Sequence, residues 1–165
     1  TDKKKTKAKK MSSEKPKKST LYTKTGDAGT SSLFNGERRR KDDQVFMSLG
    51  AIDELSAHIG VAREHCKRSA NGMEPMLEEI QSRLIDLMAS VATPRDSSSE
   101  SKLRRTTFSG DHVLLVEEWI DQMDAQLPPL TQFILPSGGL ASSSLHVCRA
   151  VCRRAERETV ELIVT

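Results

Sequence analysis

Apolar residues recur every three or four positions through most of the chain, the period of helices with one buried face. Val45, Leu49, Ile52, Ile59 and Ala62 form one such stripe and predict a helix over 43–66. Leu77, Ile80, Leu84, Leu87 or Met88, and Val91 form a second, over 74–91, with Pro94 as its stop. Val113, Val116, Trp119 or Ile120, Met123 and Leu127 form a third, over 110–127, closed by Pro128-Pro129. A fourth helix is expected from Ala141 to the end, with Val147, Ala150, Val151 and Ala155 on its apolar side. Asn71-Gly72 marks a break. Residues 94–106 are a polar, serine-rich stretch expected to be a loop, and 130–139 an apolar extended segment ending in a Pro-Ser-Gly-Gly turn. Alternating β-branched runs are scarce, which argues against a β-sandwich or barrel. The pattern is that of an all-α domain.

One stretch breaks the helical pattern. Residues 21–36 read Leu-Tyr-Thr-Lys-Thr-Gly-Asp-Ala-Gly-Thr-Ser-Ser-Leu-Phe-Asn-Gly. Backbone N–H groups freed by glycine, several hydroxyls and the Lys24 ammonium are what a polyphosphate needs. A polar lead-in to the first helix is the competing reading. No Walker pattern is present, since Lys24 precedes the glycines. The basic run Glu37 to Lys41 then leads to Asp42 and Asp43, whose carboxylates suit the start of a helix.

Charge sharpens this picture. The net +3 comes from residues 1–20, whose nine lysines against Asp2 and Glu14 leave a local +7, so the remainder sums to −4. The first twenty residues are expected to form a disordered tail, with only part of a transit-peptide composition. No basic stripe marks the rest as a nucleic-acid surface. No run of about twenty apolar residues suggests a membrane span. Three cysteines, an odd number, point to free thiols. Cys148 and Cys152 share a helix face as small packing residues, without the four ligands of a structural zinc site.

The last helix carries a second candidate. Arg149, Arg153 and Arg157 repeat at a spacing of four, where like charges repel. His146 and Glu156 fall in the same quadrant. Partner carboxylates or a ligand phosphate would offset the repulsion. A cation-rich end favoured by the helix dipole is the alternative.

Tyr-Thr-Lys-Thr-Gly-Asp at 22–27, Gly-Glu-Arg-Arg at 36–39, Lys-Asp-Asp at 41–43, Phe-Ile-Leu-Pro-Ser-Gly-Gly at 133–139 and Cys-Arg-Ala-Val-Cys-Arg-Arg-Ala-Glu-Arg at 148–157 occur in order. Together they resemble the ATP:cob(I)alamin adenosyltransferases of the propanediol-utilisation type, which include the mitochondrial animal enzyme. The resemblance covers 21 to about 161. It implies an antiparallel helical bundle in a homotrimer, with active sites between subunits and ATP and cobalamin as substrates. It implies that Thr23, Lys24, Thr25, Gly26, Ser31, Ser32 and Lys41 bind ATP from one side. Arg153, Arg154, Ala155, Glu156 and Arg157 would bind it from the other. It also implies an intersubunit pair between Asp53 and Arg149, and Phe133 against the lower face of the corrin. Magnesium would accompany ATP, with no protein side chain assigned to it and none acting as acid, base or nucleophile. A cobalamin reductase and an adenosylcobalamin-dependent mutase would be partners, with neither nucleic acid nor membrane. The expected location is the mitochondrial matrix in a eukaryote and the cytoplasm otherwise.

The family pattern continues into a further helix with an ATP-touching Asn and an Asn-Arg-Leu-Ser-Asp stretch, absent from these 165 residues. The expectation is therefore a five-helix family fold lacking its last helix: a single domain over 21–165, incomplete at its C-terminal end. The alternatives to a working transferase are a non-catalytic cobalamin escort and an impaired truncated form.

Overall fold

The computed structural model describes residues 22–164; the Lys-rich tail expected over 1–20 lies outside them. A small antiparallel hairpin, β1 (Thr30–Ser32) and β2 (Arg38–Arg40), precedes five helices. These are α1 (Gln44–Ser69), α2 (Glu74–Val91), α3 (Glu100–Arg105), α4 (Asp111–Asp124) and α5 (Gly139–Val164). The protein is thus mostly helical, as its periodicity predicts. Three short elements depart from expectation. β1 lies within the stretch read as a loop over 21–36. The polar stretch after Pro94 contains α3, with Ser99 as its N-cap, and the basic connector before α1 is strand β2.

α1 is the central element. Asp43 caps it rather than entering its first turn, its carboxylate accepting from the Val45 N–H at 3.0 Å. That satisfies one of the orphan donors at a helix start. Ala70 ends the helix in the left-handed region (φ 49°), and its N–H bonds back to the Cys66 and Lys67 carbonyls. α1 packs against both α2 and α5. Ile52, Leu55, Ile59, Ala62 and Cys66 meet Leu77 of α2 and Cys148, Val151 and Ala155 of α5. Its apolarity, a mean hydropathy of 1.2 over its most apolar window, is that of a core helix covered on two sides.

The apolar face of α5 differs from the expected one. Cys148, Val151 and Ala155 are buried, whereas Val147 and Ala150 are exposed. Cysteine behaves as a small hydrophobe, so the stripe rotates toward Cys148. Cys152 is exposed, so only one of the pair is a packing residue. α4 lies beside α2 across an apolar groove of about 280 Å³, lined by Ile80, Leu84, Leu87, Phe108, Val116 and Trp119. The tryptophan is therefore partly covered at a helix–helix boundary.

α5 runs antiparallel to α1. The Gln44 side-chain amide and the Ser48 hydroxyl, at the start of α1, donate to the Glu158 carbonyl of α5 at 2.8 and 2.6 Å. Further along, Arg154 pairs with Glu54. The C-terminal half of α5 thus lies at the end of the bundle from which the hairpin emerges.

Candidate functional site at the hairpin end of the bundle

The glycine- and hydroxyl-rich loop folds over β1. Lys24 takes a left-handed conformation (φ 58°) and Gly29 another (φ 77°), turning the chain twice within six residues. The Thr23 and Thr25 hydroxyls share a hydrogen bond of 2.8 Å. Thr25, Gly26, Thr30, Ser31, Ser32 and Arg38 line a recess of about 210 Å³. Lys41 joins it: its N–H bonds the Gly29 carbonyl at 2.9 Å, and its Nζ would lie 3.4 Å from a Cβ placed on Gly26. The loop therefore gathers hydroxyls, a guanidinium and an ammonium in one place.

Arg38 shapes this recess. One guanidinium nitrogen donates to the Thr25 carbonyl and the Thr30 hydroxyl, both at 2.7 Å. The other donates to the Ser32 hydroxyl at 3.1 Å. A planar fork of fixed donors suits this three-way closure in a way an ammonium does not. Arg38 was not among the site residues read from the sequence. The signal that points to it is Asn35-Gly36, a hairpin-turn dipeptide, with Gly36 at φ 92°.

The other side of β2 is anchored to the α2–α3 segment. Glu37 accepts from the Arg39 guanidinium at 2.6 Å and from the Ser97 hydroxyl at 2.9 Å. Asn35 donates to Glu37 at 3.3 Å and to Ser97 at 3.0 Å. These bonds, led by the one from Arg39, hold the Glu37 carboxyl well below its ordinary value, at about 2. The Arg39 guanidinium is shifted upward in turn, chiefly by its hydrogen bond to Glu37.

The arginines of α5 face outward. Arg149, Arg153 and Arg157 are exposed, as is Glu156. Arg157 adjoins Glu158, whose carbonyl meets Gln44 and Ser48, so Arg153, Glu156 and Arg157, in the C-terminal half of α5, lie toward the same end of the bundle as the loop. Two of the residues expected to bind ATP are engaged elsewhere. Ala155 is 4% exposed in the core against α1, so its side chain faces away from any ligand surface. Arg154 is tied to Glu54 in the same chain. Asp53 and Arg149 are both exposed and, among the described residues, form no ion pair within the chain.

Phe133 is fully exposed on the extended segment, with Leu130, Ile134 and Leu135 exposed around it. Pro136 of that segment lines an open recess of about 460 Å³ with His146, Val147, Arg149 and Arg154. Burial raises the Cys148 thiol above its ordinary value, which keeps it protonated and inert. Among the described residues, no three His, Cys, Asp or Glu side chains gather as a metal cage.

A family model for cobalamin adenosyltransferases matches residues 21–165. The chain belongs to the cobalamin adenosyltransferase family. Among its relatives is the corrinoid adenosyltransferase MMAB of Bos taurus, 53% identical over 93% of this chain and 64% of that protein. The Homo sapiens MMAB is 53% identical over 92% of this chain and 61% of its own length. A cobalamin adenosyltransferase of Cupriavidus metallidurans is 35% identical and covered over 73% of its length. The chain thus spans a little under two thirds of the mammalian relatives it matches. Among solved structures, a variant PduO-type ATP:corrinoid adenosyltransferase from Lactobacillus reuteri, complexed with cobalamin and ATP, superposes with a TM-score of 0.77 at 32% identity. That match covers 87% of this chain and 77% of the other. The overall fold is thus shared with a relative whose structure holds both cobalamin and ATP.

Proposed function

We propose that this chain transfers the 5′-deoxyadenosyl group of ATP to cob(I)alamin, giving adenosylcobalamin and triphosphate. The observation that carries the reading is the recess at Thr25–Ser32. It offers hydroxyls, Arg38 and Lys41 for a polyphosphate, toward the same end of the bundle as Arg153 and Arg157 of α5.

Cob(I)alamin is itself a strong nucleophile, so the protein needs to supply orientation and charge stabilisation. Cobalt attacks C5′ of ATP, a Co–C bond forms, and the C5′–O bond breaks with its electron pair leaving on triphosphate. Lys24, Lys41 and Arg38 from the loop, and Arg153 and Arg157 from α5, stabilise the charge gathering there. Magnesium would arrive on the ATP phosphates. The Thr25, Thr30 and Ser31 hydroxyls would offer it oxygen contacts of the kind a hard cation takes while keeping most of its waters. Phe133, exposed at the apolar segment, covers the lower corrin face and excludes the water that would bind there.

Homotrimeric assembly belongs to the same reading, with the arginines of one subunit facing the loop of its neighbour and Asp53 pairing with Arg149 across the interface. Exposure of Arg149, Arg153, Phe133 and Asp53 in the single chain supports it. A reductase supplying cob(I)alamin and a mutase receiving the product complete the scheme, in the mitochondrial matrix of a eukaryote. The purified chain should bind both ATP and cobalamin in calorimetric titrations. Failure to bind either one would overturn the reading.

A further inference from the structure

A hairpin of two three-residue strands does not hold its own shape in water. Something outside it must fix which way each side chain points. Successive residues of a strand face opposite sides, and a slip of one position would exchange the faces. Here Arg38 reaches the Thr25, Thr30 and Ser32 side. Its neighbours Glu37 and Arg39 meet on the other side, where Ser97 and Asn35 complete the set. The same α2–α3 segment grips the turn at further points. The Phe34 N–H donates to the Ala92 carbonyl at 3.0 Å. Lys102 donates to the Asn35 carbonyl at 3.1 Å, and the Lys102 ammonium stands 5.8 Å from the Phe34 ring centre.

We propose that Glu37, held by Ser97, is a positioning residue that fixes the face of β2 from which Arg38 closes the phosphate recess. The inference rests on the ATP-binding reading of that recess, and it adds the α2–α3 segment to the parts on which nucleotide binding depends. Neither Glu37 nor Ser97 lines the recess; they act through Arg38. A natural comparison lies one step along the strand. Arg40 and Asp42 form a bidentate pair at 2.6 and 2.8 Å, exposed and, among the described residues, bonded through their side chains to no other element. It has the same chemistry without the anchor.

The test uses Glu37→Gln, Ser97→Ala, the two combined, Ser97→Thr and Asp42→Asn. Amide hydrogen exchange over residues 25–33 is read without nucleotide, and the ATP dissociation constant is read by calorimetry below the unfolding range. Glu37→Gln should speed exchange over 25–33 and weaken ATP binding about tenfold, and Ser97→Ala should weaken it about threefold. The double variant should be no weaker than about tenfold, because the two groups share one bond. Ser97→Thr, which keeps the hydroxyl, should restore wild-type exchange and affinity, and Asp42→Asn should leave both unchanged. Wild-type exchange in both Glu37→Gln and Ser97→Ala would overturn the proposal, as would a lowered melting temperature with exchange over 25–33 and ATP affinity unmoved. If the wild-type chain itself binds no ATP, the proposed function fails while the exchange measurement still decides the role of Glu37.

Discussion

Arg38→Ala gives the sharpest consequence of the recess geometry. The substitution removes three hydrogen bonds of 3.1 Å or less that tie Thr25, Thr30 and Ser32 together. The guanidinium is exposed, so each bond is placed at the low end of its range, about 0.5 kcal/mol. Three of them give about 1.5 kcal/mol, close to a tenfold change in an equilibrium constant. Without them the loop must be ordered when nucleotide arrives, so the loss appears in ATP affinity. The expected result is an ATP dissociation constant raised about tenfold, with little change in melting temperature, because Arg38 touches none of the α1–α5 core. Arg38→Lys should recover only part of the loss, since one ammonium on a flexible stem cannot span three acceptors in fixed directions. Isothermal titration of the folded variants measures this. An ATP affinity within twofold of wild type in Arg38→Ala would refute the argument that this side chain closes the recess.

Arg153→Ala should impair ATP use with almost no loss of stability, because the residue is exposed on α5; equal turnover in this variant would remove it from the triphosphate site. Ile52→Ala, at a position 1% exposed, should destabilise the fold by about 3 kcal/mol through a cavity in the α1 core, read by denaturant melts. Phe133→Ala should leave the melting temperature unchanged and alter the visible spectrum of bound cobalamin; an unchanged spectrum would dissociate this ring from the corrin. Acid should undock the hairpin in a defined window. The Glu37 carboxyl titrates near 2 in the folded chain against an ordinary 4.5, so its contribution is complete above about 4.5 and fades as pH falls toward 2. Glu37→Gln should abolish that dependence in hydrogen exchange over 25–33.

The helices were the most legible part of the chain. The stripe Leu77, Ile80, Leu84, Leu87 or Met88, and Val91, with Pro94 beyond its end, predicts α2 with the bounds the structure gives it. α1 and α4 follow for the same reason, since a period of 3.6 is read from many residues at once. The hairpin is the opposite case. Its strands are Thr-Ser-Ser and Arg-Arg-Arg, too short and too polar to show an alternating apolar face. They pair because Leu33 is buried and the turn is held by Asn35, Glu37 and Ser97, contacts that join residues sixty positions apart. No local pattern reports such contacts. The same limit explains why Lys41 was given a site role from its motif while Arg38, inside the Gly-Glu-Arg-Arg motif, was not. It also explains why Glu54 holds Arg154 while its neighbour Asp53 is free to face outward: which of two adjacent carboxylates meets α5 depends on how the helices are rotated against each other.

The central claim is a single chemical event, and it can be watched directly. Under strict reduction, the purified chain is mixed with ATP and cob(I)alamin, and the spectrum of the cobalt–carbon bond is followed together with the phosphorus species released. The account predicts adenosylcobalamin and intact triphosphate in equal amounts, with the rate reduced in Arg38→Ala and Arg153→Ala. Retention of cob(I)alamin beside unconsumed ATP, or ATP cleavage to diphosphate and phosphate without a Co–C bond, would contradict it.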